Sequence, residues 1–334
     1  MAALYLTISA NHLIICAMLV RRHDVAFLLI PRFSMIALFS ALEPLRVANR
    51  FAEDIFSWRF VSMDGEGVAA SNGIPVSVSS GLEGVGKPDL LVVCSSYEHE
   101  IGMVQPVLNE IRRAARNGSL LAAVDTGAFL LAEAGVLNGY RATCHWETLP
   151  AFRETYPNID VAETTYVLDR GRMTASGGAN ALDMMLDWLA ALEGEALAAK
   201  VADTLVHTRH LNHPGEARIP AGSRYRVSEP RVVAAIRLME AHIEDVLTMR
   251  DIAVGAGASE RHLERLFRAH LSVTPKTFYS QLRLERAERL LTYSRMSVRD
   301  VALACGYSSL ALFSRAFKAR FGRAPSLIRQ PATS

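Results

Sequence analysis

Cysteine is scarce in this chain: there are four among 334 residues, Cys16, Cys94, Cys144 and Cys305, widely scattered and each in apolar surroundings. That excludes a disulfide framework and the paired thiols of a zinc site, and it suits the reducing cytoplasm. Positive charge is missing ahead of the longest apolar stretch, Ala2–Val20, and follows it instead as Arg21, Arg22 and His23, the reverse of a secretory signal. Asn11 and His12 interrupt the same stretch at its centre, which makes it a poor membrane span. Residues 1–22 are therefore expected to be a poorly ordered extension, with no membrane among the partners. A dominant charge is also missing, the net value being +2. That balance hides an asymmetry, because Arg231–Ser334 holds 17 Lys and Arg against 9 Asp and Glu, leaving 19 against 25 for residues 1–230. The basic third is where a polyanion would bind.

Half of the residues are hydrophobic, enough for two well-packed domains. The first opens with Asp24–Ile30, a continuous apolar run that ends at Pro31 and reads as a buried parallel strand. A helix is expected from Ser34 to about Phe51, with strands at Trp58–Met63, Ile74–Val78 and Leu90–Cys94, then a helix over Met103–Asn117. Leu120–Val124 is the next strand, and its helix starts at about Thr126. After a strand at Arg172–Ala175, helices are expected over Ala181–Glu193 and Ala196–Leu211. Strands alternating with helices imply a doubly wound, flavodoxin-like α/β sheet, which binds ligands at the carboxyl ends of its strands.

The stretch Ala122–Gly135, AAVDTGAFLLAEAG, turns sharply from strand to helix. In α/β enzymes such an elbow presents a nucleophile. With Leu137–Trp146, LNGYRATCHW, it resembles the PfpI-type protease and class I glutamine amidotransferase superfamily, over about residues 24–190. The superfamily's enzymes carry cysteine at the elbow, but this chain carries Asp125, which cannot supply a polarizable thiolate. Cys144 and His145 are strand neighbours pointing to opposite faces, so they do not make a nucleophile and base. No catalytic residue, cofactor or metal is expected. The alternative is an amidase or hydrolase of this superfamily with an accessory DNA-binding domain, which would need a nucleophile beside Asp125.

Near the C-terminus the chain repeats itself. Asp251, Ala253 and Gly257 recur 49 residues later as Asp300, Ala302 and Gly306. Leu263, Arg265, Phe267, Arg268, Leu271 and Pro275 recur 50 later as Phe313, Arg315, Phe317, Lys318, Phe321 and Pro325. Each copy reads as a helix-turn-helix: an alanine at a close helix approach, a glycine turn, and a second helix capped by Ser259, or by Ser308 or Ser309. The outward faces carry Arg261, Glu264, Arg265 and Arg268 in the first copy, and Leu310, Ala311, Ser314, Arg315 and Lys318 in the second. Such residues suit base edges and phosphates in a major groove. With the linker helix Lys276–Thr292, the pattern resembles the DNA-binding domain of AraC/XylS-type transcription regulators. Ser272 departs from it, since the family usually has glycine there, as the second copy does at Gly322.

An enzyme fold without its nucleophile, joined to this domain, resembles the AraC regulators with an amidotransferase-like N-terminal domain, including ALEPLR in the first helix, here Ala41–Arg46. That subgroup is associated with glycine betaine, carnitine and arginine catabolism, so the resemblance implies a small cationic or zwitterionic effector. Phe33, Tyr97, Phe129 and Trp146 are candidates to box its cation, with Glu43 or Asp125 as counter-charge. Ser95, Ser96, Thr126 and His145 are candidate polar contacts. The expected division is 23–195 for sensing, 196–230 as helical connector and linker, and 231–334 for double-stranded DNA. A homodimer contacting RNA polymerase is also expected.

Overall fold

A computed structural model describes residues 22–209 and 221–328. The expectations for the N-terminal extension and for the middle of the linker fall outside the described residues. Contacts divide the chain into two units, residues 22–145 with 158–209 and residues 146–157 with 221–328.

In the first unit the chain runs β1 (His23–Leu29), α1 (Met35–Ala48), β2 (Phe56–Val61), β3 (Val68–Ala69), β4 (Pro75–Val76), β5 (Leu90–Cys94), α2 (Gln105–Arg116), β6 (Leu120–Val124) and α3 (Gly127–Glu133). After β7 (Arg141–Ala142), a short α4 (Leu149–Thr155) belongs to the second unit, and the first resumes with β8 (Asp160–Val161), β9 (Tyr166–Asp169), β10 (Arg172–Ala175), α5 (Asn180–Glu193) and α6 (Glu195–Thr204).

The main sheet has the order β2-β1-β5-β6-β10-β9, parallel except where β9 runs antiparallel to β10 at the edge. Side chains alternate across it. Val25, Phe27, Leu29, Val92 and Val124 pack in one cluster with Leu38 and Leu45 of α1, Met184 and Leu189 of α5, and Val201 of α6. Helices α2 and α3 cover the other face. The register puts Leu29 beside Cys94 and Cys94 beside Val124, so three strands end level with one another. Because β1 has β2 on one side and β5 on the other, the order in which strands are added to the sheet reverses between β1 and β5. Crevices form at such switch points.

Two expectations are corrected in detail. The strand at Ile74–Val78 shortens to β4, which pairs with β3 in a separate ribbon, as befits a segment with Pro75 and an exposed Ile74. The helix over Ala196–Leu211 ends at Thr204, after which Val206 takes a positive φ of 52°.

The second unit contains α7 (Ala221–Arg224), α8 (Pro230–Ala241), α9 (Met249–Gly255), α10 (Glu260–Leu271), α11 (Pro275–Tyr293), α12 (Val298–Ala304) and α13 (Leu310–Phe321). The repeat shows in the packing. Ile252, Ala253, Leu263 and Phe267 are buried in one cluster, and their counterparts Val301, Ala302, Phe313 and Phe317 in another. Helix α11 serves both, with Phe278, Tyr279 and Leu282 in the first and Leu284, Leu290 and Leu291 in the second. Each burial of a large apolar side chain contributes about 1.5–3 kcal/mol, so each helix pair has a core of its own. No helix among the described residues is long and apolar enough to cross a membrane.

Candidate functional site

The strand-to-helix elbow forms as the sequence predicts. Asp125 leaves β6 with φ 59°, a left-handed conformation that aspartate tolerates better than most residues, and the helix begins two residues later. Gly127 is required by close approach, because a β-carbon there would lie 2.4 Å from the Val93 carbonyl oxygen. Gly177, at φ 94°, lets the loop after β10 pass the Asp125 carboxylate, where a β-carbon would sit 3.1 Å from its carboxyl carbon.

Asp125 is buried and accepts a hydrogen bond of 3.1 Å from the Ser96 hydroxyl. Thr126 donates from its hydroxyl to the Ser96 carbonyl at 2.5 Å and lies 3.3 Å from the Ser95 hydroxyl. Ser96 in turn bridges to Phe33, in the segment that follows β1. Ends of β1, β5 and β6 are thus tied into one constellation at the switch point. Phe129 is buried on the first turn of α3, and Tyr97 is 52% exposed at the rim.

Not all the sequence candidates converge here. Glu43 gives its carboxylate to Arg46 one turn along α1, at 2.6 Å. Phe33 is wholly buried, a core residue as well as a backbone bridge. His145 is half-buried at the end of the first unit, and Trp146 falls in the second, with the Arg289 guanidinium 5.7 Å from its ring centroid. The sequence places Trp146 directly after a strand, and nothing in its pattern signals the change of unit.

One residue at the elbow escaped the sequence reading altogether. His99 is 2% exposed, and its ring lies 4.2 Å, centroid to centroid, from that of Phe129. Burial pushes this imidazole below the usual histidine range, so it is neutral at physiological pH. In the sequence it looks like one more polar residue of SSYEHE.

In the second unit each copy is a helix, a glycine turn and a capped helix. Thr248 and Asp251 form a reciprocal capping box on α9, and Ser297 caps α12 through the Asp300 amide. Gly257 and Gly306 turn the chain at φ 68° and 73°. Ser259 and Ser309 cap the second helices, so Ser309 rather than Ser308 is the cap. Ser272 takes the left-handed C-cap conformation at φ 59°, matching Gly322 at 75°. The departure from glycine leaves the cap intact but costs about 1 kcal/mol of backbone strain.

Arg261, Glu264, Arg265 and Arg268 are all exposed on α10, as are Leu310, Ala311, Arg315 and Lys318 on α13, with Ser314 half-buried among them. Arg268 pairs with Glu264 at 2.9 Å, an exposed contact worth less than about 1 kcal/mol and readily exchanged for a phosphate. The second turn is held from behind: Arg283 of α11 donates to the Cys305 and Gly306 carbonyls at 2.8 and 2.6 Å and stacks over Tyr307 at 4.2 Å.

Paired helix-turn-helix motifs on one linker helix, together with an α/β domain whose elbow carries no thiol, define a DNA-binding regulator. Sequence comparison agrees: the DJ-1/PfpI family matches residues 24–191 and a helix-turn-helix domain matches residues 252–331. The chain is 43% identical to the HTH-type transcriptional regulator CdhR of Pseudomonas aeruginosa, over 91% of its own length and 90% of the relative's. To the HTH-type transcriptional regulator GlxA of Rhizobium meliloti it is 34% identical, over 93% and 96%. A crystal structure of an AraC family transcriptional regulator from Pseudomonas putida is 29% identical over 55% of this chain and 99% of that one, with a TM-score of 0.52. The chain belongs to the AraC-type transcriptional regulators with an N-terminal DJ-1/PfpI domain. It is a DNA-binding transcriptional regulator and not an enzyme.

Proposed function

We propose that residues 23–195 sense a small cationic or zwitterionic metabolite, such as a betaine, carnitine or a basic amino acid, and that residues 231–334 read the operator, with 196–230 as connector and linker. The observation that carries this reading is the joining of three strand ends at the topological switch point through Phe33, Ser96 and Asp125. In the superfamily's enzymes this is where the nucleophile works, and here a buried carboxylate occupies it instead. Asp125 supplies the counter-charge for a cation, Ser96 and Thr126 polar contacts, and Phe129 and Tyr97 aromatic walls. Glu43 and His145 are offered as further contacts of the same domain.

On DNA, Arg261, Glu264 and Arg265 read one major-groove segment and Leu310, Ala311, Ser314 and Arg315 the next, about 34 Å along the same face. Arg268 and Lys318 hold phosphates. The reading faces differ, one rich in arginine and the other small and apolar up to Arg315, so the site they specify is asymmetric. The regulator works as a cytoplasmic homodimer, and effector binding favours activation through contact with RNA polymerase.

The reading assignment is tested by Arg315→Ala. Equilibrium binding to the operator should weaken by about 1–3 kcal/mol, with random DNA affected far less. An equal loss on both would make Arg315 a phosphate contact.

A further inference from the structure

His99 is the one histidine ring of the described residues that is buried with a nitrogen lacking any hydrogen-bond partner in the protein: Nδ1 is fully enclosed and meets none. Its other nitrogen lies 3.8 Å from Glu100, beyond hydrogen-bond reach, and Glu100 is largely exposed. The neighbouring acid, Glu98, is engaged by Arg32 at 3.0 Å across the switch point. A buried polar atom without a partner is uncommon in folded proteins and calls for an explanation, a ligand or a catalytic step among them. This one stands beside Phe129, four residues after Asp125 and three residues past Ser96.

We propose that His99 is the carboxylate-recognising residue of the elbow site: its Nδ1–H donates to the carboxylate of a zwitterionic effector whose cationic end is held at Asp125. This rests on the elbow reading above. The assignment adds a polarity to it. Asp125 selects for positive charge but cannot distinguish an amino acid or betaine from the amine or alcohol lacking the acid group. A neutral imidazole, buried and without a partner, makes that distinction, because a ligand without an acceptor leaves the donor unmet.

The test uses matched pairs that differ in the carboxylate: glycine betaine against choline, and arginine against agmatine. Calorimetric titration of the full chain should show one zwitterion preferred over its partner by at least about tenfold. In His99→Phe, which keeps a ring packed against Phe129 but removes both nitrogens, that preference should collapse to within about twofold. His99→Asn places an amide near the Nδ1 position and should restore most of it. Without ligand, His99→Phe should melt no lower than the parent, since no hydrogen bond within the protein is lost. A second measurement needs no variant: the imidazole 15N resonance of His99 should move on adding the preferred zwitterion and not on adding its partner. An unchanged preference in His99→Phe, or a still 15N resonance, overturns the role of His99 while leaving the elbow as effector site. Failure of both pairs to bind the parent protein overturns the elbow reading, and this assignment with it.

Discussion

A β-carbon at Gly257 would meet nothing within 4 Å, whereas at Gly306 it would fall 2.7 Å from the Ile243 carbonyl oxygen and 2.8 Å from that of Glu244. Both glycines occupy the same place in the repeat and both have a positive φ. The sequence makes them equivalent, and the packing does not. Gly257→Ala should cost about 1 kcal/mol, the strain of a left-handed alanine. Gly306→Ala adds a backbone clash and should cost about 1–3 kcal/mol more, so chemical denaturation of the two variants should separate them clearly. Equal losses would mean that the loop before α9 yields at no cost. The same limit on legibility applies to His99. Its residue type and place in a polar loop predict an exposed side chain, and only the folded loop after β5 turns it under Phe129. Asp125, in contrast, was legible in full, because the elbow's sequence fixes its conformation and makes the missing thiol conspicuous.

Among the elements, α11 carries the most varied duty. Its first half closes one core and its second half the other, and Arg283 joins the second core to the turn it must hold. Arg283→Lys keeps the charge but loses the planar fork and the stack on Tyr307, so it should destabilise the second helix pair by about 1.5–3 kcal/mol. Hydrogen exchange should quicken in α12 and α13 while α9 and α10 stay protected, and uniform quickening would show that the two cores melt as one. Periodicity revealed the helices of this unit and its buried positions because each copy repeats the pattern. It said nothing of Arg283, whose partners are backbone carbonyls and carry no sequence signature. In the α/β unit, buried parallel strands were legible as unbroken apolar runs. The edge strand β9 was not, since Leu168 is 40% exposed and the run mixes polar and apolar residues.

At the scale of the whole molecule, function follows from what each unit has kept and lost. The reading unit retains two exposed faces on independently packed helix pairs, one rich in arginine and one largely uncharged. The α/β unit retains the elbow, its glycines and the tied strand ends, but has a carboxylate where an enzyme would hold its nucleophile. The central claim is that this site governs DNA occupancy without chemistry. It is tested most directly by measuring operator affinity with and without the preferred zwitterion in the parent and in Asp125→Asn. Asparagine tolerates the left-handed elbow conformation as aspartate does, so the elbow is kept while the carboxylate is removed. The predicted result is unchanged operator affinity without effector and an effector response reduced by at least about tenfold in concentration, the loss of one buried charge contact. An Asp125→Asn protein that responds at the same effector concentration as the parent would contradict the account.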